Sequence, residues 1–129
     1  MDVQKDGSVL FAVYGTLRKG CHNRHYLGNA ELLGTTKTNP EYTMYSRGGF
    51  PIVCPGGNTP IVIEVYKTSD PAVIDNVNSL EGYTGIRGNQ LNWYDTCSVA
   101  TPYGDANMFI QHKVSGNLPI IESGDWVNK

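Results

Sequence analysis

Apolar positions along the chain fall into two kinds of pattern. The run "SVLFAVY" at 8–14 is β-branched and aromatic, and glycines at 7 and 15 bound it, so it predicts a buried strand. "TPIVIEVYKT" at 59–68 predicts a second strand of the same kind. "LNWYDTCSVATP" and "DANMFIQHKV" predict two more, joined as a hairpin through Pro102-Tyr103-Gly104-Asp105. The helical period occurs in "SDPAVIDNVNSLEGY". There Val73, Val77 and Leu80 share one face, Asp70 suits an N-cap, Pro71 the first turn, and Gly82 the stop.

The remaining segments are less periodic. "NRHYLGNAELLG" reads as a short helical turn running into a strand, and "TTKTNPEYTMYS" as extended chain interrupted at Pro40. "RGGFPIVCPGG" reads as a loop, because glycine and proline punctuate it. The tail "LPIIESGDWVNK" is irregular, with apolar anchors that favour packing. The sum is one domain over 1–129: an α+β chain with a small mixed, β-barrel-like sheet and one main helix.

Composition narrows the function. A chain of 129 residues, 40% hydrophobic and 17% charged, can bury a core. A net charge of −2 argues against a general nucleic-acid binder. The first fifteen residues contain an apolar run of only six, too short for a secretion signal, and no stretch approaches a membrane span. Cys21, Cys54 and Cys97 are odd in number and scattered, which fits a reduced cytosolic protein better than a disulfide framework.

Familiar catalytic signatures are absent: no phosphate loop, no dinucleotide fingerprint, no nucleophile elbow. Cys21 and His25 could place two metal ligands on one helical turn, with Cys54, Cys97 and His112 as further candidates, but no paired C-x-x-C supports this, and no cofactor or metal is expected. Two features remain. Glu81 stands at a helix C-terminus beside Leu80; the macrodipole and burial would both raise its pKa toward the range of a general base, against the plainer reading of a solvated helix end. A tight turn at Tyr14-Gly15-Thr16-Leu17, just after a buried strand, would expose backbone N–H donors able to bind a carboxylate or an oxyanion; an ordinary corner is the competing account.

Taken together, the motifs resemble the gamma-glutamylcyclotransferase-like superfamily, in particular its gamma-glutamylamine cyclotransferase and AIG2-like branch. "VYGTLRKG" at 13–20 resembles the family's opening strand and loop, "HNRHYLGNAELLG" the segment after it, and "YTMYSRGGFPIV" at 42–53 its tyrosine-rich strand and Gly-x-Pro loop. "VIEVYKT", "LEGY" at 80–83, "WYDTCSVAT" and "SGDW" continue the pattern in order. Two positions depart from it: Ile63 stands where a glycine often precedes the glutamate, and Asp95-Thr96 follow Tyr94 where an arginine is common.

The resemblance implies a pocket at one mouth of the fold. It also implies a reaction in which a substrate's own α-amine attacks its γ-carbonyl, releasing 5-oxoproline and an amine or amino acid. Glu81 would be the general acid/base. Tyr14, Gly15, Thr16, Leu17, Gly49, Phe50 and Tyr94 would bind substrate, with Pro51 in the loop over the pocket and Arg18 and Lys19 available to attract an anion. The expected partner is a small gamma-glutamyl compound, with neither nucleic acid nor membrane. The contrasting classes are a binding module that kept the fold without the chemistry, and a metal-dependent hydrolase built on Cys21 and His25.

Overall fold

The computed structural model describes every residue, Met1–Lys129. Strand β1 (Val9–Val13) is the centre of the molecule, and all five of its residues are buried. Alternate side chains of a strand point to opposite faces. Accordingly Leu10 and Ala12 enter one apolar cluster, with Met44, Ile63 and Met108, while Val9, Phe11 and Val13 enter a second, with Leu27, Ile52 and Val77. This is why the segment reads as a continuous apolar run: it has no solvent face.

Around β1 the chain builds a five-stranded mixed sheet. A 3₁₀ turn (Arg24–Leu27) precedes β2 (Glu31–Lys37); β5 (Val62–Thr68), β6 (Asp95–Thr101) and β7 (Gly104–Ile110) complete the order β2-β5-β1-β7-β6. β1 runs antiparallel to β5, with Val13 opposite Glu64, and parallel to β7, with Ala12 opposite Met108. The hairpin β6–β7 turns at Pro102-Tyr103, as its turn residues predict. The class is the expected α+β with a mixed sheet and one main helix. The ladder does not close into a barrel: β2 and β6 remain its two edges.

One segment departs from the expectation. The glycine- and proline-rich stretch 47–57, read as a loop, contains β4 (Pro51–Pro55), paired antiparallel with β3 (Tyr42–Ser46) in a separate two-stranded sheet. Its prolines sit at the two ends of the strand, where a missing N–H costs little, and between them Ile52, Val53 and Cys54 are buried. The backbone N–H of Gln111 donates to Val53 O at 3.0 Å, tying this hairpin to the end of β7.

Helix α1 (Pro71–Glu81) has the predicted caps. The Asp70 side chain accepts from Ala72 N, and Gly82 closes the helix at φ 63°, ψ 35°. Val73 and Val77 are buried; Leu80 packs at the margin of the same cluster. The irregular tail packs as expected, with Ile121 and Trp126 buried. No helix is long and apolar enough to cross a membrane.

Candidate active site

Six stretches of chain converge on one cavity of about 210 Å³. They are the end of β1 with its turn, His22-Asn23, the entry to β4, the last turn of α1, the residues just before β6, and Phe109 on β7. All eight residues singled out in the sequence line it: Tyr14, Gly15, Thr16, Leu17, Gly49, Phe50, Glu81 and Tyr94.

The turn after β1 has an unusual hydrogen-bond balance. Its carbonyls are used: Gly15 O accepts from Arg18 N at 3.0 Å, Thr16 O from Asn23 N at 3.0 Å, and Arg18 O from Cys21 N at 2.9 Å. The backbone N–H groups of Tyr14, Gly15, Thr16 and Leu17 have no protein acceptor, although Tyr14, Gly15 and Leu17 are buried residues. Buried backbone donors are nearly always paired, so a run of four without partners is a ready receptor for an anionic or carbonyl oxygen. Gly15 is not in the left-handed region. Its role is close approach: a Cβ there would lie 2.8 Å from Pro51 Cγ and 2.9 Å from Pro51 Cδ.

Glu81 arrives from the other side. The C-cap at Gly82 ends α1 just past it, and the chain returns so that Trp93 N donates to Gly82 O at 2.9 Å and Tyr94 N to Glu81 O at 3.2 Å. Gly82 is needed twice here, for its positive φ and because a Cβ would meet Trp93 Cβ at 2.9 Å. The glutamate keeps some surface where it lines the cavity, while its carboxyl sits deep among protein atoms. Burial alone pushes that carboxyl up from 4.5 to about 7, with no hydrogen bond or cation to offset it.

Two tyrosines flank this carboxyl. Tyr14 Oη donates to Phe109 O at 2.6 Å, and Tyr94 Oη to Pro51 O at 2.7 Å. Both phenols are pushed up, first by burial and then by neighbouring groups that include Glu81, so both stay neutral. Their protons are committed to backbone carbonyls, which leaves the carboxyl of Glu81 free to exchange its own.

Some lining residues were not singled out from the sequence. Trp93, half-exposed, packs edge-on against Phe50 at 5.8 Å and Tyr94 at 4.8 Å, making an aromatic rim. Its place beside Tyr94 in the "WYD" stretch was the available signal. Asn23 also lines the cavity and donates through Nδ2 to Thr16 Oγ1 at 3.0 Å. Periodicity carries no trace of that contact.

The reading of Arg18 and Lys19 needs correction. Arg18 is not a solvated lure for anions. It is buried, with Nε on Glu64 Oε2 at 2.9 Å and Nη1 on Asp125 Oδ1 at 2.8 Å. The Lys19 side chain is exposed, and its backbone N–H is spent on Glu64 Oε1 at 2.8 Å. Nor do Cys21 and His25 gather further ligands: no group of three or more His, Cys, Asp or Glu side chains is placed to hold a metal ion.

Comparison with known proteins agrees with this architecture. The family described as "Gamma-glutamyl cyclotransferase, AIG2-like" matches residues 11–128. The gamma-glutamylcyclotransferase family protein YtfP of Escherichia coli strain K12 is 36% identical over 117 residues, covering 91% of this chain and 95% of its own. A crystal structure of an uncharacterised protein from Pyrococcus horikoshii superposes with a TM-score of 0.74 at 28% identity, over 93% of this chain and 91% of that one. A mouse AIG2-like protein shares the fold, with a TM-score of 0.69 at 20% identity over 92% of this chain and 88% of its own. With nearly its whole length matched, the chain belongs to the AIG2-like gamma-glutamyl cyclotransferase family.

Proposed function

We propose that the protein cyclises a gamma-glutamyl amide, releasing 5-oxoproline and a free amine or amino acid. One observation carries this reading. An unpartnered carboxyl that titrates at about 7 shares a small cavity with four consecutive backbone N–H groups that lack acceptors.

The chemistry asks for little else. The nucleophile is the substrate's own α-amine, so attack on the γ-carbonyl is intramolecular and proximity supplies much of the rate. Glu81, as the carboxylate, takes a proton from the α-ammonium, and the freed amine attacks, so that the new C–N bond closes the five-membered ring. Glu81 returns that proton to the leaving nitrogen as its C–N bond breaks, then passes the ring nitrogen's remaining extra proton to the released amine, which departs as an ammonium and leaves Glu81 a carboxylate again. A carboxyl near neutrality suits both halves of that exchange. The turn at 14–17 holds the substrate's carboxylate or the carbonyl oxygen on which charge develops. The Phe50–Trp93 rim, with Gly49, borders the cavity.

The test is incubation of the protein with gamma-glutamyl dipeptides and with the gamma-glutamyl-lysine isopeptide, assayed for 5-oxoproline. The wild type releases it, and Glu81→Gln, with an unchanged circular dichroism spectrum, does so about 10²–10⁴-fold more slowly. A Gln variant at wild-type rate removes the mechanism. Saturable binding of these compounds without any 5-oxoproline makes the protein a binding module on the same fold.

A further inference from the structure

The buried Arg18 poses a question that the reaction leaves unanswered. It lies directly after the turn, yet it does not line the cavity and is drawn into a cluster of charge. Glu64, on β5, is 6% exposed and accepts three donors: Arg18 Nε at 2.9 Å, the backbone N–H of Lys19 at 2.8 Å and Tyr66 Oη at 2.9 Å. Asp125, in the C-terminal tail, takes Arg18 Nη1 at 2.8 Å and also accepts from the backbone N–H groups of Val127 and Asn128 at 3.1 and 3.2 Å. The tail is itself fixed. Val62 N donates to Gly124 O at 2.9 Å, and a Cβ on Gly124 would strike Pro60 O.

Arginine suits this place for a physical reason. Its planar fork reaches two carboxylates at once and cannot lose its proton. Burial works against its charge, but its hydrogen bonds to Glu64 and Asp125 outweigh that and raise its pKa, while at Asp125 the donors Arg18 and Asn128 together outweigh burial and lower the carboxyl. A buried ion cluster is weak evidence for stability, since apolar replacements often serve as well. Its value lies in fixing geometry. Here two successive residues, Arg18 by side chain and Lys19 by backbone, are pinned to β5 immediately after the four free N–H groups.

We propose that Arg18, Glu64 and Asp125 form a positioning clamp, which holds the 14–17 turn open toward the cavity and makes its geometry depend on the C-terminal tail. None of the three touches the cavity; they act through the backbone they fix. The proposal rests on reading the turn as the substrate's oxygen-binding element, and the two can fail separately.

The test uses Asp125→Asn and Arg18→Lys in the full chain. Asp125 has the most exposed side chain of the three, at 19%, so its variant perturbs packing least. Two quantities are measured well below the melting range: kcat and KM for a gamma-glutamyl dipeptide, and ¹⁵N order parameters for the amides of Gly15, Thr16 and Leu17. The clamp predicts looser amides and a KM raised between about tenfold and 10²-fold. It also predicts that the Glu81 limb of the pH profile stays in place. The clamp is overturned if the amides stay as rigid as in the wild type, or if only the melting temperature falls. A wild type that yields no 5-oxoproline sinks the catalytic reading, and the order parameters then judge the clamp alone.

Discussion

Glu64 and Glu81 are both glutamates withdrawn from solvent, and both border the 14–17 turn, Glu64 through the Lys19 backbone and Glu81 across the cavity. Glu64 is saturated: an arginine, a backbone N–H and a phenol all donate to it. Glu81 has no donor, and burial alone sets its titration at about 7. Burial is common to both, so burial by itself does not distinguish them. What differs is the company. A carboxylate supplied with donors ties down the groups that donate to it, whereas a buried one denied them titrates near neutral pH.

The largest effect expected from breaking this contrast is on rate. Glu81→Gln removes the exchangeable proton without changing shape, and costs about 10²–10⁴ in turnover while the fold persists. Glu64→Ala should do the reverse in kind. It strands Tyr66 Oη and Lys19 N and leaves Arg18 with Asp125 alone, so stability falls by about 3–5 kcal/mol in chemical denaturation. If Glu64→Ala lost turnover with no loss of stability, Glu64 would belong with the catalytic group and the contrast would be misdrawn.

A smaller effect separates the two through pH. The folded-state pKa of Glu81 is raised, so its stabilising contribution is complete below 4.5 and is lost as pH rises through about 7. Glu81→Gln has no such loss. Between about pH 4 and about pH 8.5 the variant should therefore gain on the wild type by about 3 kcal/mol in unfolding free energy. Parallel stability curves for the two proteins would mean that the carboxyl is solvated and is no proton carrier.

How much of this was visible in the residues follows from which interactions are local. Asp70, Pro71 and Gly82 act within a few residues of themselves, and the helix limits they predict match those observed. The β-branched and aromatic run at 8–14, bounded by glycines, predicted a buried strand, and the strand observed is buried on both faces. The stretch 47–57 misled, since its prolines looked like breakers; only pairing with Tyr42–Ser46 shows that they sit at strand ends. The cavity residues were named by resemblance to a family and by the chemistry of Glu81. Arg18 was misjudged because its partners lie 46 and 107 residues away, and composition treats every arginine as solvated. Trp93 escaped for a related reason: its contacts with Phe50 and Gly82 form only when the loop before β6 folds back.

The smallest effect is expected at the 14–17 turn itself, which borders both glutamates. Gly15 does not have a positive φ, so alanine there is not forced into the left-handed region. The added methyl instead meets the ring of Pro51 at 2.8 Å. That ring is rigid, and Pro51 cannot retreat freely, because it opens β4 and its carbonyl holds Tyr94 Oη. Overpacking of this kind costs about 1–3 kcal/mol. Pro51→Ala in the same chain removes the obstructing ring atoms, and the double variant should recover most of the loss. Recovery would assign Gly15 to close approach between the turn and β4. A Gly15→Ala protein as stable as the wild type would show that the turn can back away from Pro51, and the clamp at Arg18 would then be holding it less firmly than its hydrogen bonds imply.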